Sequence, residues 1–275
     1  MSDCIRLSGT ELAATLCADA SRRAAALPVT PTLATVLIGD DPGSATYVAM
    51  KRRRCEQFGL GSRLLHLPAD TTTATLVTAL TGLANDPGIH GILLPHPLPA
   101  QIDERAAFDA IPLAKDVDGT SSLAFAATAL SRPGHRSCTP AGIIRLLDHY
   151  GVPLHGATVV IIGRSAILGK PLAAMLIARN STVTVCHSQT RDLAAHTRQA
   201  DIVIAAAGQP GLLTRDMVAE GAVVVDAGFT PGDVAAGVGD IARALSPVPG
   251  GVGPMTIAML LSQTVDAAEE LTGIR

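Results

Sequence analysis

The sequence contains no tryptophan, and aromatic residues make up 2% of its 275 residues. Nucleic-acid modules that stack bases on exposed aromatic side chains are therefore poorly supported. A large excess of one charge is also lacking, because 24 acidic residues nearly balance 21 basic ones and give a formal net charge of −3. This balance argues against nucleic acid or an anionic membrane as a partner. No apolar run reaches the roughly 20 residues that a membrane-spanning helix needs.

Paired cysteines and metal-ligand spacings are missing as well. The five cysteines are scattered without a CxxC pair, which is typical of reduced core residues and not of disulfides or zinc ligands. The eight histidines show no ligand spacing such as HxxxH, so we expect no metal site. The opening segment MSDCIRLSGTELAA has no basic region followed by an apolar stretch, so we predict a cytoplasmic protein without a secretory signal.

Apolar runs alternate with segments of helical period along nearly the whole chain. This pattern predicts an α/β fold in which helices cover parallel strands. The pattern loosens between Ser121 and Cys138, and we place a domain boundary there. The sequence thus predicts a first domain over residues 1–138, completed by a C-terminal helix (255–275) that packs back on it, and a second domain over residues 139–254.

Several helix and strand ends can be predicted from the sequence. Helices are expected at about 8–27, 45–58, 73–85 and 256–272. Ser8, followed three residues later by Glu11, suggests a capping box at the start of the first helix. The apolar run that begins at Ile89 predicts a strand that stops near Leu94, because the prolines that follow it cannot donate ladder hydrogen bonds.

A turn between a strand and a helix predicts a dinucleotide site in the second domain. The apolar strand ends at Gly163, and Gly169 stands at the start of the next helix. A helix N-terminus offers free N–H groups and a partial positive charge, and glycine lets a phosphate come close to the backbone. The spacing GxxxxxG departs from the standard GxGxxG, and a tight turn that binds nothing is the alternative interpretation.

The next strand of that domain favours NADP over NAD. Sites for NAD place an acidic residue about 20 residues after the first glycine, and here no carboxylate precedes Asp192. Arg164, Ser188 and Arg191 instead provide guanidinium groups and a hydroxyl that suit a 2′-phosphate. In the alternative interpretation, both arginines are ordinary surface charges.

The first domain contains two candidate groups for substrate chemistry. Tyr47 and Lys51 are four residues apart and share one helix face. An amine in a partly buried pocket can transfer protons, although the arginines beside it also fit a solvated face. Asp116 and Asp118 in KDVDG can accept hydrogen bonds from a heterocycle or close the loop as an Asx turn.

A loop rich in glycine and proline, PVPGGVGPMT (residues 247–256), precedes the last predicted helix. Such a loop has rigid corners and exposed backbone, which suits it to clamp a flat ligand. It also fits a simple connector between a strand and a helix. The sequence leaves both interpretations open.

These segments together resemble the methylenetetrahydrofolate dehydrogenase/cyclohydrolase family. The matching motifs, in the same order over nearly the whole chain, are YVAMKRRR, GILLPHPLP, KDVDG, CTP, GRSAILGKP, AGQPG, VGD and PVPGGVGPMT. The resemblance implies a two-lobe α/β fold with a Rossmann-type NADP-binding lobe, a reduced folate substrate and a homodimer. It implies hydride transfer that turns methylene-tetrahydrofolate into methenyl-tetrahydrofolate, followed by hydration to formyl-tetrahydrofolate.

The resemblance also assigns roles to residues. Lys51 would be the catalytic amine, Tyr47 would orient the folate, and Asp118 would hold the pterin ring. Pro249 and Gly253 are implied to line the folate pocket as well, and His96, which replaces a leucine of the family motif, is a further candidate there. Residues implied to contact the dinucleotide are Thr139, Gly163, Arg164, Ser165, Ser188, Gly208, Phe229 and Thr256.

The sequence departs from the family motifs, and one departure affects the expected activity. Pro95 stands where the family has the glutamine partner of the lysine, and proline has no side-chain amide. We therefore expect the hydration step to be reduced or absent. Alternatively, His96 replaces the amide and the enzyme is fully bifunctional, or the chain is a non-catalytic folate- or dinucleotide-binding paralogue. Phe229 stands where the family has a smaller aliphatic residue near the nicotinamide.

Overall fold

Strands and helices alternate along the chain, which confirms the α/β class. The computed structural model describes residues 4–39 and 42–274, with the backbone alone described for 42–47. Within these ranges the strands are β1 (Ile5–Arg6), β2 (Thr32–Ile38), β3 (Gly61–Leu67), β4 (Gly91–Leu93), β5 (Thr158–Ile162), β6 (Thr182–Cys186), β7 (Ile202–Ala205), β8 (Val223–Asp226) and β9 (Ala244–Leu245). The α-helices there are α1 (Thr10–Ala25), α2 (Pro42–Gln57), α3 (Thr73–Asn85), α4 (Glu104–Asp109), α5 (Ser122–Ala129), α6 (Cys138–His149), α7 (Gly169–Ala178), α8 (Leu193–Thr197) and α9 (Val252–Leu271).

The chain forms two compact units, and neither is one contiguous segment. The three-stranded unit consists of Thr15–Ser137 and the chain from Ile257 onward. The six-stranded unit consists of the chain up to Ala14 and Cys138–Thr256. The C-terminal helix α9 thus contributes most of its length to the three-stranded unit.

The start of the chain differs from the sequence prediction, which assigned residues 1–138 to the first domain. Strand β1 pairs in parallel with β9, with Ile5 opposite Ala244 and Arg6 opposite Leu245. This pairing places the start of the chain in the six-stranded unit. A strand of two residues is too short to give a detectable alternating pattern, so the sequence did not reveal it.

In the three-stranded unit, β2 lies between β3 and β4, and all three strands are parallel. Ala34 and Val36 of β2 pack in an apolar cluster with Leu76 and Leu80 of α3 and with Phe108 of α4. Strand β4 ends at Leu93, close to the predicted end. The cluster fixes the strands, and the carboxyl end of β4 leads into the loop that precedes α4.

In the six-stranded unit, the strand order is β1-β9-β8-β7-β5-β6, and every pairing is parallel. From β5 the chain proceeds to β6, which pairs with one edge of β5, and then returns to β7, which pairs with the other edge and is followed outward by β8 and β9. Ligands of open α/β sheets bind outside the carboxyl ends of the strands where this reversal occurs. The ends of β5 and β7 are therefore the expected binding edge.

The predicted helix ends agree with the structure to different degrees. Helix α3 has its predicted bounds, whereas α1 begins two residues later than predicted, at Thr10. Ser8 donates its N–H to the hydroxyl of Tyr150, and the first turn of α1 bonds to the carbonyl of Gly9. Helix α9 begins four residues earlier than predicted and includes Pro254. Proline is tolerated there because the first N–H groups of a helix have no intrahelical partner.

Some features are absent from the part of the chain that the structure describes. No helix in residues 4–39 and 42–274 combines the length and apolar character needed to cross a bilayer. The same residues contain no group of three or more potential metal ligands among histidine, cysteine, aspartate and glutamate. The five cysteines are free thiols, and four of them are buried.

Candidate functional site

Lys51 lies on the buried face of α2. The residue is 3% exposed, and Val48 and Cys55, three residues before and four after it, are buried as well. The neighbouring Arg53 and Arg54 are exposed. Because the helix has 3.6 residues per turn, Arg53 lies on the opposite face from Lys51 and Arg54 lies at the edge of the buried face. The interpretation of this segment as a solvated helix surface therefore applies to the two arginines and not to Lys51.

Cys55 provides an uncharged neighbour for Lys51. Burial raises the pKa of the Cys55 thiol to about 11, and the positive charge of Lys51 partly opposes this rise. The thiol therefore remains protonated near neutral pH. Tyr47 lies in α2 one turn before Lys51, but its side chain is outside the described residues. The predicted pairing of Tyr47 with Lys51 stays a prediction.

The two aspartates of the KDVDG loop have different surroundings. Asp116 is fully buried, and its carboxylate accepts the N–H groups of Thr120 (3.1 Å) and Ser121 (2.8 Å). Asp116 therefore performs the loop-closing role. Asp118 is partly exposed. Of the two carboxylates, that of Asp118 is thus the one accessible to a ligand, and its role toward the pterin ring stays a prediction.

The Asp118 loop has a backbone that requires glycine at position 119. Gly119 has φ +64°, a left-handed conformation that side chains disfavour. A Cβ atom there would overlap the backbone of Arg136 and Ser137. The loop therefore packs directly against residues 136–137 of the same unit.

Gln263 of α9 joins these two segments. Its side-chain amide donates to the carbonyl oxygens of Val117 (2.8 Å) and Arg136 (2.9 Å), and its oxygen accepts the N–H of Arg136 (2.8 Å). The residue is 5% exposed. Because both amide groups satisfy buried backbone atoms, Gln263 fixes the residue that precedes Asp118. Sequence reasoning missed this role, and the available signal was a polar residue on the apolar face of the last helix.

His96 pairs with a residue of the next helix. Its Nδ1 lies 2.5 Å from Oε1 of Glu104, and about 40% of each side chain is exposed. Pro95, which precedes it, is partly buried. One nitrogen of the His96 ring is therefore engaged by a carboxylate.

The glycines of the GxxxxxG turn in the six-stranded unit are needed for close backbone packing. Gly163 has φ +136°, and a Cβ atom on it would overlap the carbonyl oxygen of Ala206. A Cβ on Gly169 would overlap the carbonyl oxygen of Gly163. The hydroxyl of Ser165 accepts the N–H of Leu168 at 3.1 Å and so supports the start of α7. The unusual spacing therefore still brings the first residue of α7 against the strand end.

Arg164 and Ser188 occupy equivalent positions after neighbouring strands. Ile162 of β5 is paired with Cys186 of β6, and each candidate lies two residues beyond its strand end. Both are exposed. Ser188 lies in a tight turn closed by a hydrogen bond from the N–H of Thr190 to the carbonyl of His187 (2.8 Å). A guanidinium and a hydroxyl thus follow adjacent strands at one edge of the sheet, where a phosphate of a dinucleotide fits them.

The remaining candidates for dinucleotide contact lie in the same unit. The hydroxyls of Thr139 and Thr256 are 3.1 Å apart. Gly208 follows β7 and is exposed, and Phe229 follows β8 and is 88% exposed. The structure also places Pro249 and Gly253, both exposed, in this unit, whereas Lys51 and Asp118 belong to the three-stranded unit.

Comparison with known proteins identifies the family. Residues 7–118 match the family model described as tetrahydrofolate dehydrogenase/cyclohydrolase, catalytic domain, and residues 137–272 match its NAD(P)-binding domain. The chain belongs to the tetrahydrofolate dehydrogenase/cyclohydrolase family. The resemblance noted in the sequence is confirmed, and with it the prediction of an enzyme that contains a nicotinamide-dinucleotide domain.

Relatives within the tetrahydrofolate dehydrogenase/cyclohydrolase family match the chain over nearly its full length. Bifunctional protein FolD 1 of Streptomyces avermitilis is 52% identical and covers 98% of this chain and 96% of its own. The FolD structure from Campylobacter jejuni has a TM-score of 0.94 at 40% identity and covers 96% of this chain and 98% of its own. The Trypanosoma brucei enzyme, solved with NADP cofactor and inhibitor, has a TM-score of 0.93 at 32% identity over all of both chains.

Proposed function

We propose that this chain is an NADP-dependent methylene-tetrahydrofolate dehydrogenase whose cyclohydrolase activity is reduced or absent. The observation that carries the proposal is a buried Lys51 in a chain whose Pro95 replaces the glutamine of the family motif. Its reduced folate would bind near Lys51, Tyr47, His96, Asp118, Pro249 and Gly253. We further propose a cytoplasmic location and, as the resemblance implies, a homodimer.

The residues of the six-stranded unit fit the proposed cofactor. Arg164 and Ser188 suit the 2′-phosphate, and the glycine-lined turn at Gly163 suits the pyrophosphate. Thr139, Ser165, Gly208, Phe229 and Thr256 complete the proposed set of contacts. When bound, NADP⁺ supplies a hydride acceptor for the methylene carbon between two folate nitrogens. The protein's contribution to this step is to align the folate and exclude water.

The hydration step makes a different demand on the protein. Water must add to the methenyl carbon, and a proton must move as the ring opens, so a positioned acid or base is needed. Lys51 supplies an amine, but Pro95 supplies neither a side-chain amide nor a backbone N–H. Hydration is therefore expected to suffer more than hydride transfer.

The two activities can be separated by assay. Purified protein with NADP⁺ is expected to form methenyl-tetrahydrofolate readily and to hydrolyse it slowly. A double variant, Pro95→Gln with His96→Leu, restores the family motif and is expected to raise hydrolysis by about tenfold or more. Methenyl formation serves as the internal control and should change little.

Two outcomes would favour other functions. Rapid hydrolysis by the unmodified protein that depends on Lys51 would refute the loss of cyclohydrolase activity. The relatives named as bifunctional favour this alternative, and His96→Ala would then be expected to abolish hydrolysis and spare hydride transfer. Binding of NADP without turnover of any reduced folate would instead indicate a non-catalytic paralogue.

Arg164→Gln is expected to weaken NADP binding by about 10- to 100-fold and to leave NAD binding nearly unchanged. The expectation follows because a charge-assisted hydrogen bond contributes about 1.5–3 kcal/mol and NAD has no 2′-phosphate. Calorimetric titration with each nucleotide measures the effect. Arg179→Gln is the matched control, since Arg179 is an exposed arginine of the same unit that pairs with Asp148. Equal weakening of both nucleotides would contradict the assignment.

A further inference from the structure

The loops that follow β7 and β8 are joined by backbone hydrogen bonds. The N–H of Gly211 donates to the carbonyl of Gly232 (3.0 Å), that of Leu213 to the carbonyl of Asp233 (2.9 Å), and that of Ala235 to the carbonyl of Leu213 (2.9 Å). The two loops therefore form one connected structure at the carboxyl edge of the sheet, where open α/β sheets bind ligands.

Asp233 fixes the first of these loops through its side chain. The residue is 1% exposed, and its Oδ2 accepts two consecutive backbone N–H groups, those of Ala207 (2.6 Å) and Gly208 (2.9 Å). Gly208 has φ +65°. One carboxylate oxygen thus sets the orientation of two peptide groups at the entry to a left-handed turn.

Asp226 fixes the second loop. Its Oδ1 accepts the N–H groups of Gly228 (2.9 Å) and Asp233 (3.0 Å), and its Oδ2 accepts that of Val234 (3.0 Å). Phe229 lies between these anchored positions and is 88% exposed. A loop that is fixed on both sides holds this aromatic ring outside the core, and such a ring offers a flat apolar face.

The use of a carboxylate at position 233 needs an explanation beyond stability. In the described structure, the side-chain hydrogen bonds of Asp226 and Asp233 all come from backbone N–H groups. Burying a charge without a cationic partner is costly. A carboxylate oxygen, however, holds N–H groups more tightly and at a better-defined geometry than a neutral acceptor does.

We propose that Asp233 is a positioning residue for the nicotinamide cofactor. It holds the Gly208 turn and the Phe229 loop at the spacing that receives NADP. The carbonyl of Ala206, next to the Asp233-bound peptides, packs against Gly163, so a shift of the Gly208 turn would also reach the turn after β5. This inference rests on the proposed function, because Gly208 and Phe229 are proposed cofactor contacts.

The test compares Asp233→Ala and Asp233→Asn with Asp201→Ala. Asp201 is a matched control because it lies just before β7, at the opposite end of the same sheet. Its carboxylate also accepts a backbone N–H, that of Thr158 (2.8 Å). Asp233→Ala is expected to raise the NADP⁺ dissociation constant, measured by calorimetry, by about tenfold or more. The asparagine variant is expected to give a smaller increase, since it retains one acceptor. In the Asp233 variants the KM for methylene-tetrahydrofolate should change less than about twofold. In Asp201→Ala both the NADP⁺ dissociation constant and this KM should change less than about twofold.

Hydrogen exchange gives a second readout that does not depend on the cofactor. The amides of Ala207 and Gly208 are expected to be protected in the unmodified protein and to exchange faster in the asparagine variant, which serves if the alanine variant does not fold. Unchanged NADP⁺ affinity in a folded Asp233 variant would overturn the inference and leave the proposed function intact. Equal losses of NADP⁺ and folate affinity would also overturn it. Failure of the unmodified protein to bind NADP⁺ would refute the proposed function itself.

Discussion

Lys51→Met is expected to abolish any methenyl hydrolysis and to lower methenyl formation by less than about tenfold, because hydride transfer needs alignment but no proton transfer. Methionine keeps an unbranched stem in the buried position but removes the amine, and a positioned acid or base contributes about 10²–10⁴-fold to the rate. Lys51 is buried beside the neutral thiol of Cys55, so a water molecule does not easily enter to replace the missing amine in the variant. Steady-state rates for the two reactions, measured at saturating NADP⁺ and folate, provide the readout.

The control for Lys51→Met comes from the same helix. Arg54 lies three residues later, is exposed, and contacts Gln57 at 3.0 Å. Arg54→Met removes a positive charge in the same way but is expected to change either rate less than about twofold. A Lys51→Met protein with a normal melting temperature and normal rates would remove Lys51 from the proposed mechanism.

Gly119→Ala is expected to destabilise the protein by about 2–4 kcal/mol and to raise the KM for folate. Two effects add at this position. The left-handed backbone costs about 1–2 kcal/mol for a side chain, and the new Cβ would overlap the backbone of Arg136 and Ser137. Relief of the overlap has to move the loop that carries Asp118. Urea unfolding measures the first effect, and steady-state kinetics measure the second.

Gly59→Ala separates the two effects. Gly59 lies in the same unit with φ +76°, and nothing lies within 4 Å of the position that its Cβ would take. The control should therefore show the backbone cost alone, about 1–2 kcal/mol, with an unchanged KM. If the two substitutions destabilise the protein equally and neither changes the KM, the packing of the Asp118 loop against residues 136–137 has no functional role.

The sequence predicted those parts of the fold whose causes are local. Helix α3 has a clear apolar period and a Thr72 cap whose hydroxyl accepts the N–H of Thr75, and its bounds agree with the prediction. The strand end near Leu94 follows from the prolines after it. The pairing of β1 with β9 is a contact between Ile5 and a residue about 240 positions away, and no local pattern reports such a contact.

The candidate site also divides into residues that local sequence indicates and residues whose roles appear only in the folded structure. The period of α2 and the resemblance both selected Lys51, and the KDVDG motif selected two aspartates. Assigning loop closure to Asp116 requires knowledge of its hydrogen bonds to Thr120 and Ser121. Asp233 and Gln263 were missed because their partners are backbone groups distant in sequence. Asp226 was missed because its partners are backbone N–H groups of the loop that follows it. A buried polar residue that bonds to main chain leaves no partner motif to find.

The arrangement of the three-stranded unit has a consequence for biosynthesis. The segment that carries Asp118 is joined to its neighbour by Gln263, and α9 is held to α1 by the ion pairs of Arg23 with Asp266 and Glu269. A ribosome makes the chain from the amino end, so these partners emerge about 145 residues after the aspartate loop. The three-stranded unit therefore cannot complete its packing until nearly all of the six-stranded unit has been translated.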